Sequence, residues 1–294
     1  MSYWVHVLLM VSIYAMLAMS LDLLVGEAGL LSLCHAVFFG VGAYSTAVLT
    51  VVYGVGWTLS AVFGVALSIL VAILVATVSF RMNGDLFVLA TFSVQAVFVA
   101  VAQSWTGLTN GPKGIAGIGG LAVLGWLANS PVRQLAVATT LVGGTTAAMV
   151  WIVRSPIGRQ FRGFREDEVL MLSLGRNPFS FRTILFSLAA VVASLAGSLY
   201  AGYLGYIEPH SFSVHESIFI ASMVIVGGPG SRGGAATGAA LLVLLAEALR
   251  WFGIPSTAAA SLRQILYGSL LIAIMMWRPR GIFGSQNVET EPGS

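Results

Sequence analysis

Charge is what this sequence has least of. Only 9% of its 294 residues are Asp, Glu, Lys or Arg, against about 25% in a soluble domain. That is too few to cover a water-facing surface of this size, so a soluble enzyme is excluded. Cysteine is nearly absent. Cys34 stands alone and forms no disulfide within the chain, which leaves the redox compartment open. Lysine is just as scarce. Lys113 sits in Asn110-Gly111-Pro112-Lys113-Gly114-Ile115 with no Ser or Thr behind it. The phosphate loop of nucleotide hydrolases is therefore missing, and the chain is not expected to split ATP itself. No His-Glu-x-x-His or Cys-x-x-Cys pair offers a metal site. His210 and His215 are five apart beside Glu208 and Glu216. That spacing suits ligands poorly on one helix, and a solvated loop is the preferred reading. Intramembrane acids and histidines are few: Asp22, Glu27, His35, Asp85 and Glu247. Most fall near the ends of apolar runs and make no evident proton relay. No catalytic residue, cofactor, metal or nucleic-acid patch is implied.

What the sequence has instead is apolar length. Hydrophobic residues make up 57% and mean hydropathy is +0.92. A spanning helix takes roughly 20 apolar residues, so about eight to ten spans fit once loops are subtracted. Long continuous runs point to helices, since barrel strands alternate over about ten residues. The fold class expected is an all-α polytopic membrane protein. Nine apolar segments are visible, roughly 3–24, 35–52, 57–80, 86–104, 132–153, 184–204, 217–228, 235–252 and 263–278. The first reads as a span, because it lacks the basic start and cleavage site of a signal peptide. Residues 1–284 read as a single membrane domain without a visible internal repeat, and the polar tail 285–294 as disordered.

Two places depart from simple spans. Val25-Gly26-Glu27-Ala28-Gly29-Leu30-Leu31-Ser32 puts two glycines and an acid in an apolar stretch. This predicts an interrupted helix, tolerated at membrane depth only where protein or a water-filled cavity covers the freed backbone. The segment 217–228 is short and ends in Gly227-Gly228-Pro229-Gly230, which predicts a half-helix or a tight turn. The glycine-rich stretch 105–131 has room for another half-helix around 115–127. Tyr200, Tyr203 and Tyr206, three residues apart near a span end, read as an interfacial belt.

Orientation follows from the basic residues, thirteen Arg and one Lys. The richest loop, 154–182, carries Arg154, Arg159, Arg162, Arg165, Arg176 and Arg182. Placing it in the cytoplasm and alternating outward puts Arg81, Arg232, Arg278 and Arg280 inside too. Lys113, Arg133, Arg250 and Arg263 then lie outside. The asymmetry favours a cytoplasmic C-terminus and, by simple alternation, an outer N-terminus. In this loop Ser155-Pro156 suits a helix start. A second short helix is expected to begin near Glu166 with its acids at the positive dipole end, and Gly175 suits its close. Leu170 and Leu174 share a face, with Val169 and Leu172 close to it. Two readings stand: a helix that inserts into a partner's groove, or a loop lying on anionic lipid.

These residues resemble the permease subunits of ATP-binding-cassette importers for branched-chain amino acids, of the LivM type. The likeness spans roughly 20–283 and rests on four motifs in order. They are Leu24 to Tyr44, with Ser32-Leu33-Cys34-His35-Ala36-Val37-Phe38-Phe39-Gly40; Trp105-Thr106-Gly107-Leu108-Thr109-Asn110-Gly111-Pro112; the loop Ser155 to Gly175; and Arg278-Pro279-Arg280-Gly281-Ile282-Phe283. Cys34 stands where the family usually has Gly, Glu27 where Tyr or Gln is common, and Arg232 where an apolar residue is usual. The resemblance implies a bacterial inner-membrane subunit working with a second permease subunit, two ATPases and an extracytoplasmic binding protein. It implies that Glu166, Asp167, Glu168, Leu170, Leu174 and Gly175 dock the ATPase, with helix capping alone as the alternative for the acids. Gly26, Gly29, Ser32 and His35 are candidates for the substrate pathway, since an interrupted helix exposes backbone donors and acceptors. Close helix packing is the competing reading of the same small residues. Related permeases carry urea, short amides or other amino acids. A self-sufficient ion-coupled carrier is the alternative from another class.

Overall fold

The computed structural model describes residues 3–79, 85–123, 126–127, 130–231 and 233–251, scattered positions between 265 and 277, and 281–283. The ninth apolar run and the tail 285–294 therefore lie largely or wholly outside the described residues. So do Arg81, Arg232, Arg263, Arg278 and Arg280, and nothing is described of the Arg250 side chain.

The helices are α1 (Tyr3–Ala28), α2 (His35–Val51), α3 (Trp57–Ser79), α4 (Asp85–Ser104), a single turn α5 (Thr106–Thr109), α6 (Pro131–Arg154), α7 (Pro156–Glu166), α8 (Glu168–Ser173), α9 (Pro178–Leu204), α10 (Val214–Gly227) and α11 (Gly234–Trp251). Five are long and apolar enough to cross a membrane: α1, α3, α4, α6 and α9. Shorter apolar helices are α2, α10 and most of α11. The chain is thus an all-α polytopic membrane protein, with the interrupted helices that the glycine pattern predicts.

Starts and stops follow local chemistry. Ser130 accepts the Arg133 amide with Pro131 behind it, Ser155 caps α7 with Pro156 behind it, and Asn177 caps α9 with Pro178 behind it. In each, the side-chain oxygen takes an amide that the helix cannot pair, and proline has none to lose. α1 closes at Gly29, whose φ of 66° suits glycine. Gly29 N donates to Val25 O (3.1 Å), the closing bond of an αL turn, and Leu30 N reaches back to Leu24 O (3.2 Å).

Contacts fix the directions. Arg162 and Arg165 of α7 reach the end of α1, while Tyr203 near the end of α9 meets His6 near the start of α1. α1 and α9 are therefore antiparallel. Tyr14 packs on Phe219, and Asp22 bonds Gly230, so α10 runs with α1. α2 joins α3 in a hairpin, and α3 opposes α9: Trp57 meets Ser198, and Ser68 meets Ala190. So α2 runs with α9 and against α10. One end of the bundle carries α7 and α8. Backbone bonds from Ile282 and Phe283 to Val226 and Gly227 bring residues 281–283 to that end. The start of α1 and the 105–130 segment lie at the other.

The half-helix expected around 115–127 is corrected. Glycine-rich sequence there makes three two-residue strands: β1 (Ile115–Ala116), β2 (Ala122–Val123) and β3 (Trp126–Leu127). β1 pairs antiparallel with β4 (Tyr206–Ile207), and β2 with β3. Positive φ at Gly114 and Gly117 breaks any helix between them. The tyrosine belt is corrected in part. Tyr200 stacks on Phe39 and Phe212, and the Tyr203 hydroxyl bonds His6 Nδ1 at 2.7 Å, leaving Tyr206 exposed.

The core is closest between α2 and α9. A Cβ added at Gly42 would strike the Ser194 carbonyl, and one at Gly197 the Phe39 carbonyl. Small residues here let two backbones touch, the usual device of helix packing in lipid. Gly197→Val should therefore lower stability by about 1–3 kcal/mol or prevent folding. Thermal melting of the detergent-solubilised protein is the measurement, with Gly143→Val as the control, since a Cβ there meets nothing within 4 Å.

Candidate functional site

Two groups of residues concern function, one at the α7–α8 end and one inside the bundle. α7 is amphipathic and anchored. Phe161 and Phe164 are buried and pack on Phe181 of α9, with ring centroids 6.1 and 5.2 Å apart. Each buried phenylalanine contributes about 1.5–3 kcal/mol. The helix expected to begin near Glu166 begins two residues later. Glu166 instead ends α7, because Asp167 is extended and caps α8, its Oδ1 accepting the Leu170 amide at 2.9 Å. Glu168 lies in the first turn of α8 and bonds Arg182 of α9 at 2.8 Å. Gly175 closes the turn with φ 73°.

The apolar residues of α8 have no core to enter. Val169 is 76% exposed, Leu170 55% and Leu174 66%. A six-residue helix with its apolar side outward is a poor element in water. Asp167 and the Arg182 pair hold it there nonetheless.

The other face of α7 grips α1. Arg165 donates to the Gly26 carbonyl, and Arg162 pairs with Glu27 at 3.3 Å. The Gly26 carbonyl belongs to the last turn of α1, whose C=O groups lack helical partners. A guanidinium suits that negative dipole end. Across the same turn Asp22 accepts the Gly230 amide at 2.7 Å. A Cβ at Gly26 would lie 2.7 Å from Gly230 Cα, so only glycine fits. Gly26 is thus a packing position within α1, and Gly29 marks where the helix ends.

Beyond Gly29 the chain runs non-helically to Cys34 and re-enters helix at His35. Ser32 and His35 are fully buried. His35 Nε2 lies 2.5 Å from Ser20 Oγ on α1. Three of the freed amides are taken up by side chains, two of which, Thr91 and Ser217, sequence reading did not single out. Leu33 N donates to Thr91 Oγ1 (3.1 Å), Ala36 N to Ser217 Oγ (3.0 Å) and Cys34 N to Ser32 Oγ (3.4 Å). Ser217 in turn donates to Gln95 Oε1, and Gln95 Nε2 donates to the Phe212 carbonyl. Thr91 and Gln95 stand four apart on one face of α4. Two polar residues at helical spacing in an apolar run were the available signal. Two apolar grooves flank the bundle, ≈ 290 Å³ between α1, α6 and α9 and ≈ 430 Å³ between α2, α3 and α4. Neither is lined by Ser32 or His35.

Comparison with known proteins meets this geometry. The profile of the family described as "Branched-chain amino acid transport system / permease component" matches residues 3–275. The chain belongs to that family. It is a transport permease subunit, not an enzyme. It is 30% identical over 302 residues to the high-affinity branched-chain amino acid transport system permease protein LivM of Salmonella typhimurium, covering 95% of this chain and 69% of that one. It is 29% identical to LivM of Escherichia coli K12 (92% and 67% covered). To the permease protein LivH of the same strain it is 25% identical, with 95% and 93% covered. No solved structure matches.

The grip on α1 yields a graded expectation. Arg165→Ala leaves a buried carbonyl unpaired and should cut solute uptake roughly tenfold at equal protein level. Arg162→Ala removes a partner that is 43% exposed and should cost less than about twofold. Uptake into membrane vesicles, normalised to permease content, distinguishes them.

Proposed function

We propose that this chain is one of two permease subunits of an ATP-binding-cassette importer for branched-chain amino acids in a bacterial inner membrane. Two ATPase subunits supply the energy, and an extracytoplasmic binding protein delivers the solute. In this reading the α7–α8 end faces the cytoplasm, which the six arginines of loop 154–182 favour, and the C-terminus lies there too. Residues 1–284 form one membrane domain. Family membership supports the subunit reading over a self-sufficient carrier. The similarity to LivM and LivH, both branched-chain amino acid permease proteins, supports branched-chain amino acids over urea or short amides.

The observation that carries the reading is α8. Its outward apolar side is a ready ligand for a groove in a soluble partner. Glu166, Asp167 and Glu168 frame it, Leu170 and Leu174 fill the groove, and Gly175 turns the chain back. Binding energy placed on α8 passes through Glu168–Arg182 into α9, and through α7 into the end of α1. From there it reaches the break at Gly29 and, through it, Ser32 and His35, which we assign to the pathway. ATP hydrolysis in the docked subunits thereby alternates access to the two sides.

Leu170→Ser with Leu174→Ser should abolish capture of the ATPase while the permease remains folded. Copurification of the affinity-tagged complex with substrate-stimulated ATPase activity is the measurement. Retained capture and coupling would remove the assignment. Asp167→Ala, which costs about 1 kcal/mol as a lost cap, should weaken capture partly.

A further inference from the structure

α4 is apolar and outward-facing along much of its surface, with Leu86, Leu89, Phe92, Val97 and Val101 exposed. Its buried stripe is Phe87, Thr91, Gln95 and Ala102. The middle two are polar and fully buried, a costly choice inside a membrane. Both reach the places where α2 and α10 start. Thr91 Oγ1 accepts Leu33 N at 3.1 Å, just ahead of α2. Gln95 meets Ser217 in the first turn of α10 and Phe212 in the turn before it. α2 and α10 leave this level for opposite ends of the bundle. Their first turns touch through Ala36 N and Ser217 Oγ at 3.0 Å.

The direction of each bond is forced. The Phe212 carbonyl can only accept, so the Gln95 atom 2.6 Å from it is the amide nitrogen. The Gln95 carbonyl oxygen then faces Ser217 at 3.1 Å and takes its hydroxyl proton. The same hydroxyl oxygen accepts Ala36 N–H, since a backbone amide can only donate. The bonds therefore run one way, from Ala36 through Ser217 and Gln95 to Phe212. Bonds aligned in this manner within an apolar interior reinforce one another.

Stability alone does not call for this arrangement. Replacing both partners of a buried bond by apolar groups of the same shape is close to neutral. What a fully paired polar network adds is a single, well-defined register. We propose that Gln95 is a positioning residue for transport: it latches the starts of α2 and α10 to each other and to α4, and the latch parts once in each transport cycle. Gln95 touches no solute in this scheme and acts through the two helix starts. The assignment rests on the reading of the chain as an ATP-driven permease subunit, and adds the contact that turnover must release.

The test uses the importer complex reconstituted in proteoliposomes with leucine-loaded binding protein. Gln95→Met keeps length and volume and removes both bonds. Leucine uptake and ATP hydrolysis are measured per complex, with and without the loaded binding protein. A loosened latch lets ATP be consumed without transport. Leucine moved per ATP should fall roughly tenfold, and hydrolysis without solute should rise about fivefold. KM for the loaded binding protein should stay within about twofold, because no solute contact is lost. If Gln95 serves packing alone, the variant lowers the amount of folded complex and leaves leucine per ATP at the wild-type value, and the proposal fails.

Ser217→Ala breaks the neighbouring link and carries the same test should Gln95→Met not assemble. Links of one latch fail together, so the double variant should couple no worse than the poorer single variant. Losses that multiply would overturn the proposal. A wild-type complex that assembles correctly yet neither imports leucine nor hydrolyses ATP would sink the permease reading instead.

Discussion

Backbone that leaves a helix inside lipid must find new partners for every freed N–H and C=O. The rest of this structure depends on how that is done between Gly29 and Cys34. An unmet amide there would cost several kcal/mol. The segment is therefore stitched to three different helices: to α1 by its own closing turn, to α4 by Thr91, and to α10 by Ser217. Each stitch is a side chain on an element that also packs elsewhere. The break is consequently a shared joint of the bundle, and whatever moves α4 or α10 bears on it directly.

Much of this was legible in the sequence because lipid simplifies the code. Most apolar runs and the Ser155-Pro156 start gave helix limits close to those found, and Gly29, Gly175 and Gly227 marked real endings. α9 begins at Pro178, six residues before the run read from 184, because Asn177-Pro178 caps it. The short run before Pro229 did prove to be a half-helix. Less legible was anything that depends on a distant partner. Nothing local to Arg165 says that it will meet Gly26, 139 residues away in sequence. Thr91 and Gln95 look like incidental polar residues until the break they serve is in view. The 115–127 stretch misled because its apolar content suits a helix, while the pairing that decides it comes from Tyr206 and Ile207. Tyr200 and Tyr203 show the same limit: spacing gave a belt, and partners on α1, α2 and the 209–212 turn drew them inward.

The division of labour between the two arginines illustrates how burial ranks interactions. Arg162–Glu27 joins a guanidinium that is 43% exposed to a carboxylate that is 12% exposed, so solvent screens the attraction from the arginine's side and side-chain ordering offsets part of the gain. Arg165 meets a carbonyl that has no other partner, at a helix end whose dipole favours a cation. The second holds α7 in register against α1, and the first trims that register.

The glycine contact between α2 and α9 has a mechanical consequence. With Gly42 pressed on the Ser194 backbone, Gly197 on that of Phe39, and Ser198 Oγ 3.2 Å from the Gly42 carbonyl, the pair has no slack in which to slide. α9 begins beside α8 and ends at the opposite rim. A tug at its foot is therefore delivered at its head as displacement, like a pushrod. The far mouth of the protein would feel a pull on α8 through a stiff strut as well as through the joint in the middle.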